Sequence, residues 1–269
     1  MTVEQERPWT TADLAADLRR LGIDAGDTLI VHTAFRSIGF VAGGPEAVLA
    51  AIRVAIGPTG TLTMPAHTAD RSDPAEWVAP PVPEHWWPTI RDHAPPFDPY
   101  GTPPQQMGAL ATALLLRRDT LRSTHPQLSH MANGPEAAYV IAPHDLDEGF
   151  GDESPLSRLY ELDATVVLLG VDHANNTSLH LAEVRGSWPS KRRARQGSRV
   201  LVDGESQWVV YDQTDYDSDD FSAVGAAFEA SGTSAGTVRI GQFASAVAKV
   251  MRMRDLVDFA TTWFSTHRS

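Results

Sequence analysis

Cysteine is absent from the 269 residues. That removes disulfides, thiolate metal sites and any acyl-cysteine intermediate. Long apolar runs are missing too, and none approaches the roughly 20 residues that a membrane-spanning helix needs. Basic residues are scarce: 22 Lys and Arg stand against 34 Asp and Glu, a formal charge of −12. This balance disfavours nucleic acid and anionic membrane surfaces and suits a small cationic ligand. Solubility alone is the plainer reading. No H-E-x-x-H pattern occurs, no lysine-serine pair follows a glycine-rich loop, and nothing resembles a nucleophile elbow. The first ten residues, acidic and polar, do not read as a secretory signal, so the expected location is cytoplasmic.

What is present reads as one α/β domain over residues 1–269. Apolar residues make up 42%, enough for a substantial core. Leu14, Leu18 and Leu21 form a helical stripe closed by Gly22. Residues 28–32 form an apolar strand, Pro45 opens a helix that Gly57 stops, and 61–64 is the next strand. Helices are also expected over 107–116, 136–141, 156–162, 221–230, 245–251 and 255–264, with a strand over 237–240. Asp203-Gly204 marks a hairpin between 199–202 and 207–211. The alternation implies a sheet with helices packed on it.

The central stretch is 165–183. An apolar β-branched strand ends at Gly170-Val171, a short polar turn follows, and Thr177 is placed to cap a helix. His180 then falls in the first helical turn, with Glu183 on the same face. The helix end disfavours imidazolium and a carboxylate favours it, so such a histidine can be poised as a general base. The plainer alternative is a capping histidine with a surface glutamate.

Other segments leave two readings each. The loop after Thr33, with Arg36, Ser37, Gly39, Gly43 and Gly44, is either a connection or a backbone cradle for phosphate or thioester oxygens. Residues 66–104, rich in proline and carrying Trp77, Trp86 and Trp87, read as an ordered excursion walling a cleft or as a decorative insertion. The basic run 191–195 is a solvated loop or a phosphate contact. Aspartates 215, 217 and 219 imitate a calcium loop, but Asp220 and Ala226 stand where glycine and glutamate are needed. A solvated acidic loop or an ammonium site remains.

Four ordered stretches carry a resemblance: VHTAFRSIG at 31–39, GPTGTLTMP at 57–65, RSTHPQLS at 122–129 and GVDHANNTSLHLAE at 170–183. Together they resemble the aminoglycoside 3-N-acetyltransferase (antibiotic N-acetyltransferase) family over nearly the whole chain. PVPEHWWP at 81–88 is similar to one branch of it. The Q/R-x-x-G-x-G/A loop of the common acetyltransferases is absent; QQMGAL at 105–110 ends in the wrong residue. The resemblance implies a mixed sheet between helical layers and direct transfer from acetyl-CoA to an amine, with the 3-amino group of an aminoglycoside as the favoured acceptor. His180 would be the base and Glu183 its partner. His32, Thr33, Ala34, Phe35, Arg36, Ser37, Gly39, Ser123 and Ser129 would lie near the cofactor. Asp70, Asp73, Asn175 and Asp215 would face the substrate. No metal, nucleic acid or membrane partner is implied, and the protein would be a monomer or homodimer. Relatives often carry serine at the position of Ala34 and glycine at that of Asp172. The rival readings are acetyl transfer to a non-antibiotic amine, a metal-dependent hydrolase using His32, His67, His125, His173 and His180, and a noncatalytic binder.

Overall fold

The computed structural model describes residues 5–78, 80–231 and 238–269. In chain order the helices are α1 (Thr11–Arg20), α2 (Gly44–Ile56), α3 (Trp87–His93), α4 (Gly108–Leu115), α5 (Ala137–Val140), α6 (Pro155–Glu161), α7 (Leu179–Arg185), α8 (Phe221–Ala230) and α9 (Met253–His267). The strands are β1 (Thr28–Thr33), β2 (Thr61–Pro65), β3 (Leu121–Arg122), β4 (His130–Asn133), β5 (Thr165–Leu169), β6 (Arg193–Val202), β7 (Glu205–Thr214), β8 (Val238–Phe243) and β9 (Ala246–Arg252). Seven strands form one mixed sheet in the order β3-β4-β2-β1-β5-β9-β8. Its centre, β2-β1-β5, is parallel, and the outer pairings are antiparallel.

The period of two explains why both sheet faces are covered. Leu29, Val31, Val167 and Leu169 point into a core under α1, α2 and α4. Ile30, Val166 and Leu168 point into a second core with Leu156, Leu181, Phe228 and Phe264. Each such fully buried side chain contributes about 1.5–3 kcal/mol. The result is an α/β/α sandwich. A capping box fixes the start of α1: Asp13 N–H donates to Thr10 Oγ1 and Thr10 N–H to Asp13 Oδ2.

The expected helix over 245–251 is instead β9. Ala, Lys and Met favour helix, but this segment pairs with β5 on one side and β8 on the other, and that tertiary demand overrides propensity. The turn before it carries no glycine signal: Ala244 holds φ +54 and its N–H donates to buried Asp17 Oδ2 at 2.7 Å. The strand expected over 237–240 begins at Val238; Thr237 lies outside the described residues. The hairpin is longer than its turn suggested, ten residues a side in its own ribbon. Asp203 and Gly204 both hold positive φ, as a tight hairpin turn requires. Arg193 and Arg195 of the basic run therefore belong to β6 and not to a loop.

The excursion over 66–104 is built from three short 3-10 turns and α3. Arg122 ties its ends, donating to Ala66 O at 2.5 Å and to Thr102 O, and stacking on Phe97. Arg199 of β6 donates to Arg91 O at 2.9 Å, joining excursion and ribbon. Its tryptophans do not order it by burial, since none of the three is buried and Trp86 is 51% exposed.

Candidate active site

The parallel strands β2, β1 and β5 end on one edge, and a small open cleft of about 80 Å³ lies there. Chain order reverses beside β1, which places the cleft at the switch point where open α/β sheets bind ligands. His32 and Thr33 of β1, Pro65 of β2, Met107, Asn175 and Thr177 line it.

The segment after β5 is shaped by Gly170 at φ +67. A Cβ there would fall onto Ser37 Oγ, so only glycine lets the 3-10 turn Phe35–Ile38 pack against the strand end. Asp172, by contrast, is extended (φ −110, ψ −167), so aspartate fits where relatives were expected to need glycine. Its Oδ1 accepts from Ala174 N–H at 2.9 Å and starts the 3-10 turn His173–Asn175. Thr177 does not cap α7. Its N–H donates to His32 Nε2 at 3.1 Å, and the helix begins after Ser178 without a side-chain cap.

His180 and Glu183 meet as their spacing predicts, with Nδ1 and Oε2 2.8 Å apart. Glu183 is fully buried, not a surface residue. Its Oε1 accepts from Asp217 N–H and from Arg268 Nη1, both at 2.7 Å. An ionised carboxylate only accepts, so Nδ1 carries the hydrogen and the Nε2 lone pair is free. Among the described residues Nε2 has no protein partner. Phe150 stacks on the ring at 4.6 Å and 7°, and Tyr216 and Phe221 enclose it. Such a pair can take a proton at Nε2 and stabilise the imidazolium formed.

Around it lie further histidines that stay neutral. Burial pushes His32 and His67 down to about 3, and His180 nearby adds to the effect. His130 and His125 are pushed well below their ordinary value by burial, and His144 to about 4. Because His32 Nε2 accepts, its hydrogen sits on Nδ1, which is buried and unpartnered, as is Thr33 Oγ1. Among the described residues no three His, Asp or Glu side chains are grouped to hold a metal ion.

The other expected site residues scatter. Arg36 is exposed, Phe35 packs partly on the core, and Ser37 Oγ donates to Ala34 O at 2.7 Å. Gly39, at φ +86, ends the Phe35–Ile38 turn. Ser123 and Ser129 do not line the cleft. Ser123 Oγ accepts from His130 N–H at 3.0 Å, and Ser129 Oγ donates to Ala66 O at 2.8 Å; both are fully buried. Asp73 pairs with Arg91 at 2.7 Å, and Asp70 stands 3.8 Å from Arg71. Asp215 pairs with Arg192 at 2.6 Å, in a groove with Asp217, Asp219, Asp220 and Arg268. Sequence reading missed Phe150, Tyr216, His67's place beside His180, and Arg268. All four arrive from distant segments and had no local pattern.

Together, fold and site describe an α/β protein with a part-buried histidine–carboxylate pair near a cleft at the ends of its parallel strands, and no cysteine. The chain belongs to the aminoglycoside 3-N-acetyltransferase family, whose model matches residues 30–265. It is 35% identical over 263 residues to the SPbeta prophage-derived aminoglycoside N(3')-acetyltransferase-like protein YokD of Bacillus subtilis (strain 168), covering 97% of this chain and 94% of that one. The crystal structure of YokD aligns with a TM-score of 0.94 at 34% identity, over 98% of this chain and 96% of that one. Aminoglycoside N(3)-acetyltransferase VII of Streptomyces paromomycinus is 35% identical over 268 residues, 95% of this chain and 91% of its own. A structure of AAC-IIIb binary with CoASH aligns with a TM-score of 0.85 at 32% identity, over 96% and 97% of the two chains.

Proposed function

We propose that this protein transfers an acetyl group from acetyl-CoA to an amine of a small polycation, with the 3-amino group of an aminoglycoside as the favoured acceptor. The carrying observation is the His180–Glu183 pair, whose Nε2 has no protein partner among the described residues and whose ring lies near His32, a residue that lines the cleft. Acetyl-CoA supplies an acyl group already activated as a thioester. His180 Nε2 accepts a proton from the acceptor nitrogen, which attacks as the neutral amine, and Glu183 holds the imidazolium through Nδ1. The new C–N bond forms as the C–S bond breaks; the sulfur leaves as thiolate and takes up the proton that His180 accepted, which restores the base. With no cysteine in the chain, direct attack in a ternary complex is the economical route. The residues present fit a thioester oxygen: His32 Nδ1 and Thr33 Oγ1 are polar, buried, unpartnered and on the cleft-lining residues. The carboxylates Asp70, Asp73 and Asp215 would hold other ammonium groups in exchange for Arg71, Arg91 and Arg192, beside which they stand.

The test is acetyl-CoA-dependent thiol release across a panel of amines that includes several aminoglycosides. Release with aminoglycosides and a product acetylated at one amine is the expected result. No release with any amine, together with no coenzyme A binding by calorimetry, overturns the reading. Release only with non-aminoglycoside amines keeps the chemistry and overturns the acceptor.

A further inference from the structure

Behind the catalytic pair lies a cation that follows α9, outside the span 30–265 matched by the family model. Arg268 is the hub of four hydrogen bonds. Nη1 donates to Glu183 Oε1 at 2.7 Å, Nε and Nη2 make a fork on Asp220 at 2.8 and 2.6 Å, and Nη2 also reaches Asp217 O at 2.6 Å. The guanidinium packs over Phe264 and Trp188, 4.1 and 4.9 Å from the ring centres. Burial works against its charge, but the bonds to Asp220 and Glu183 outweigh this and raise its pKa above the ordinary guanidinium value. It is therefore a fixed positive charge touching the carboxylate that touches His180.

We propose that Arg268 is a positioning residue for the His180–Glu183 pair: it fixes the Glu183 carboxylate, offsets its charge, and so sets the pH at which the pair takes up a proton. This deepens, and rests on, the reading of His180 as the base.

Titratable groups face His180 from several elements. Glu183 shares its helix. His32 on β1 and His67 in the excursion are neutral at working pH. Tyr216 faces the ring at 5.3 Å and is kept protonated, because burial raises its pKa. Behind Glu183 stand Arg268 with Asp220, and Lys191, which feels the Glu183 charge. Among the described residues the charged neighbours of Glu183 thus include the carboxylates of Asp220 and Asp217 and the cations Lys191 and Arg268, and Arg268 is the cation in contact with Glu183.

Without Arg268, Glu183 would keep only the Asp217 N–H and the imidazole. The pair would bind a proton more readily, and its uptake would move to higher pH. Either resting place for that proton removes the base. On Nε2 it occupies the lone pair directly. On Glu183 it makes an acid that donates to Nδ1, which sends the ring hydrogen to Nε2. Asp220 competes for the same guanidinium, so neutralising Asp220 leaves more of that charge for Glu183 and moves uptake to lower pH.

The experiment is an NMR titration of the His180 ring in the full chain, assigned by loss of its signals in His180→Gln. Arg268→Gln is expected to raise the midpoint by roughly one pH unit. Arg268→Lys should fall between it and the wild type, and Asp220→Asn should lower the midpoint. A merely structural role for Arg268 would move none of them in this pattern. An unmoved or lowered midpoint in Arg268→Gln, or an unmoved or raised one in Asp220→Asn, overturns the proposal. If Arg268→Gln does not fold, Asp220→Asn decides alone. The acid limb of kcat/KM, measured on the same variants, separates the two readings. Midpoints that move without the limb following overturn His180 as the base and leave the role of Arg268 standing.

Discussion

Lowering the pH from 7.5 to 5 is expected to destabilise this protein sharply, through its buried histidines. His32 and His67 are held down to about 3 and His144 to about 4, all by burial. An unfolded histidine titrates near 6.5. The folded values are depressed, so this stability is fully present above pH 6.5 and is lost as the pH falls toward the folded values. Between those limits the unfolded chain binds more protons, and each group removes about 1.4 kcal/mol per pH unit. At pH 5 that is about 2 kcal/mol each, or about 6 kcal/mol for the three. His125 and His130, also depressed by burial, act in the same direction. The sum is comparable to a typical total stability of about 5–15 kcal/mol. The assay is the thermal midpoint by calorimetry or circular dichroism across pH 7.5 to 5, with proton uptake on urea unfolding at pH 5.5. A fall of order 10–20 °C is expected for a chain of this size. His144→Gln should flatten the slope by about 1.4 kcal/mol per pH unit. A flat midpoint across the range, or unfolding at pH 5.5 without proton uptake, would refute the reasoning.

Three further outcomes are expected. His180→Ala should lower acetyl transfer by about two to four orders of magnitude with folding intact, and near-normal turnover would remove it from the mechanism. Gly170→Ala should destabilise the fold by about 1–3 kcal/mol, since it combines positive φ with an overlap on Ser37, and a thermal midpoint equal to wild type would contradict the packing described. Asp215→Asn should raise the Michaelis constant for a polycation only about threefold, because this carboxylate is partly exposed and already paired with Arg192. Added salt should narrow that difference, and equal constants at low and high ionic strength would leave Asp215 without a substrate role.

The strands and the His180–Glu183 pair were legible because their signals are local. Val166 to Leu169 is a short apolar run, and His180 and Glu183 are three apart on one helix. Their spacing sufficed to bring Nδ1 to Oε2, and the family motif pointed the same way. β9 was misread because Ala246 to Met251 has helical composition and becomes a strand only through two distant partners. The serines at 123 and 129 carry family motif positions, yet their hydroxyls are engaged in holding the turn and the excursion. The aspartates suggested an ammonium site by charge alone, and three of those nominated turn out to stand near arginines. Arg268 had no signal, because its partners Glu183, Asp217 and Asp220 are far from it in the chain.

The parallel centre of the sheet also fixes the order in which a ribosome can deliver a working site. β1 emerges early, yet the edge of it that will flank the cleft stays unpaired until β5 arrives and sets Leu29 against Thr165. β5 in turn waits for β9, which joins Leu169 to Ala248. Long-range pairings of this kind are slow, and apolar strands left open invite aggregation. Expression at lower temperature, or with chaperones that shield nascent apolar strands, should therefore raise the yield of active protein more than stabilising the finished fold does.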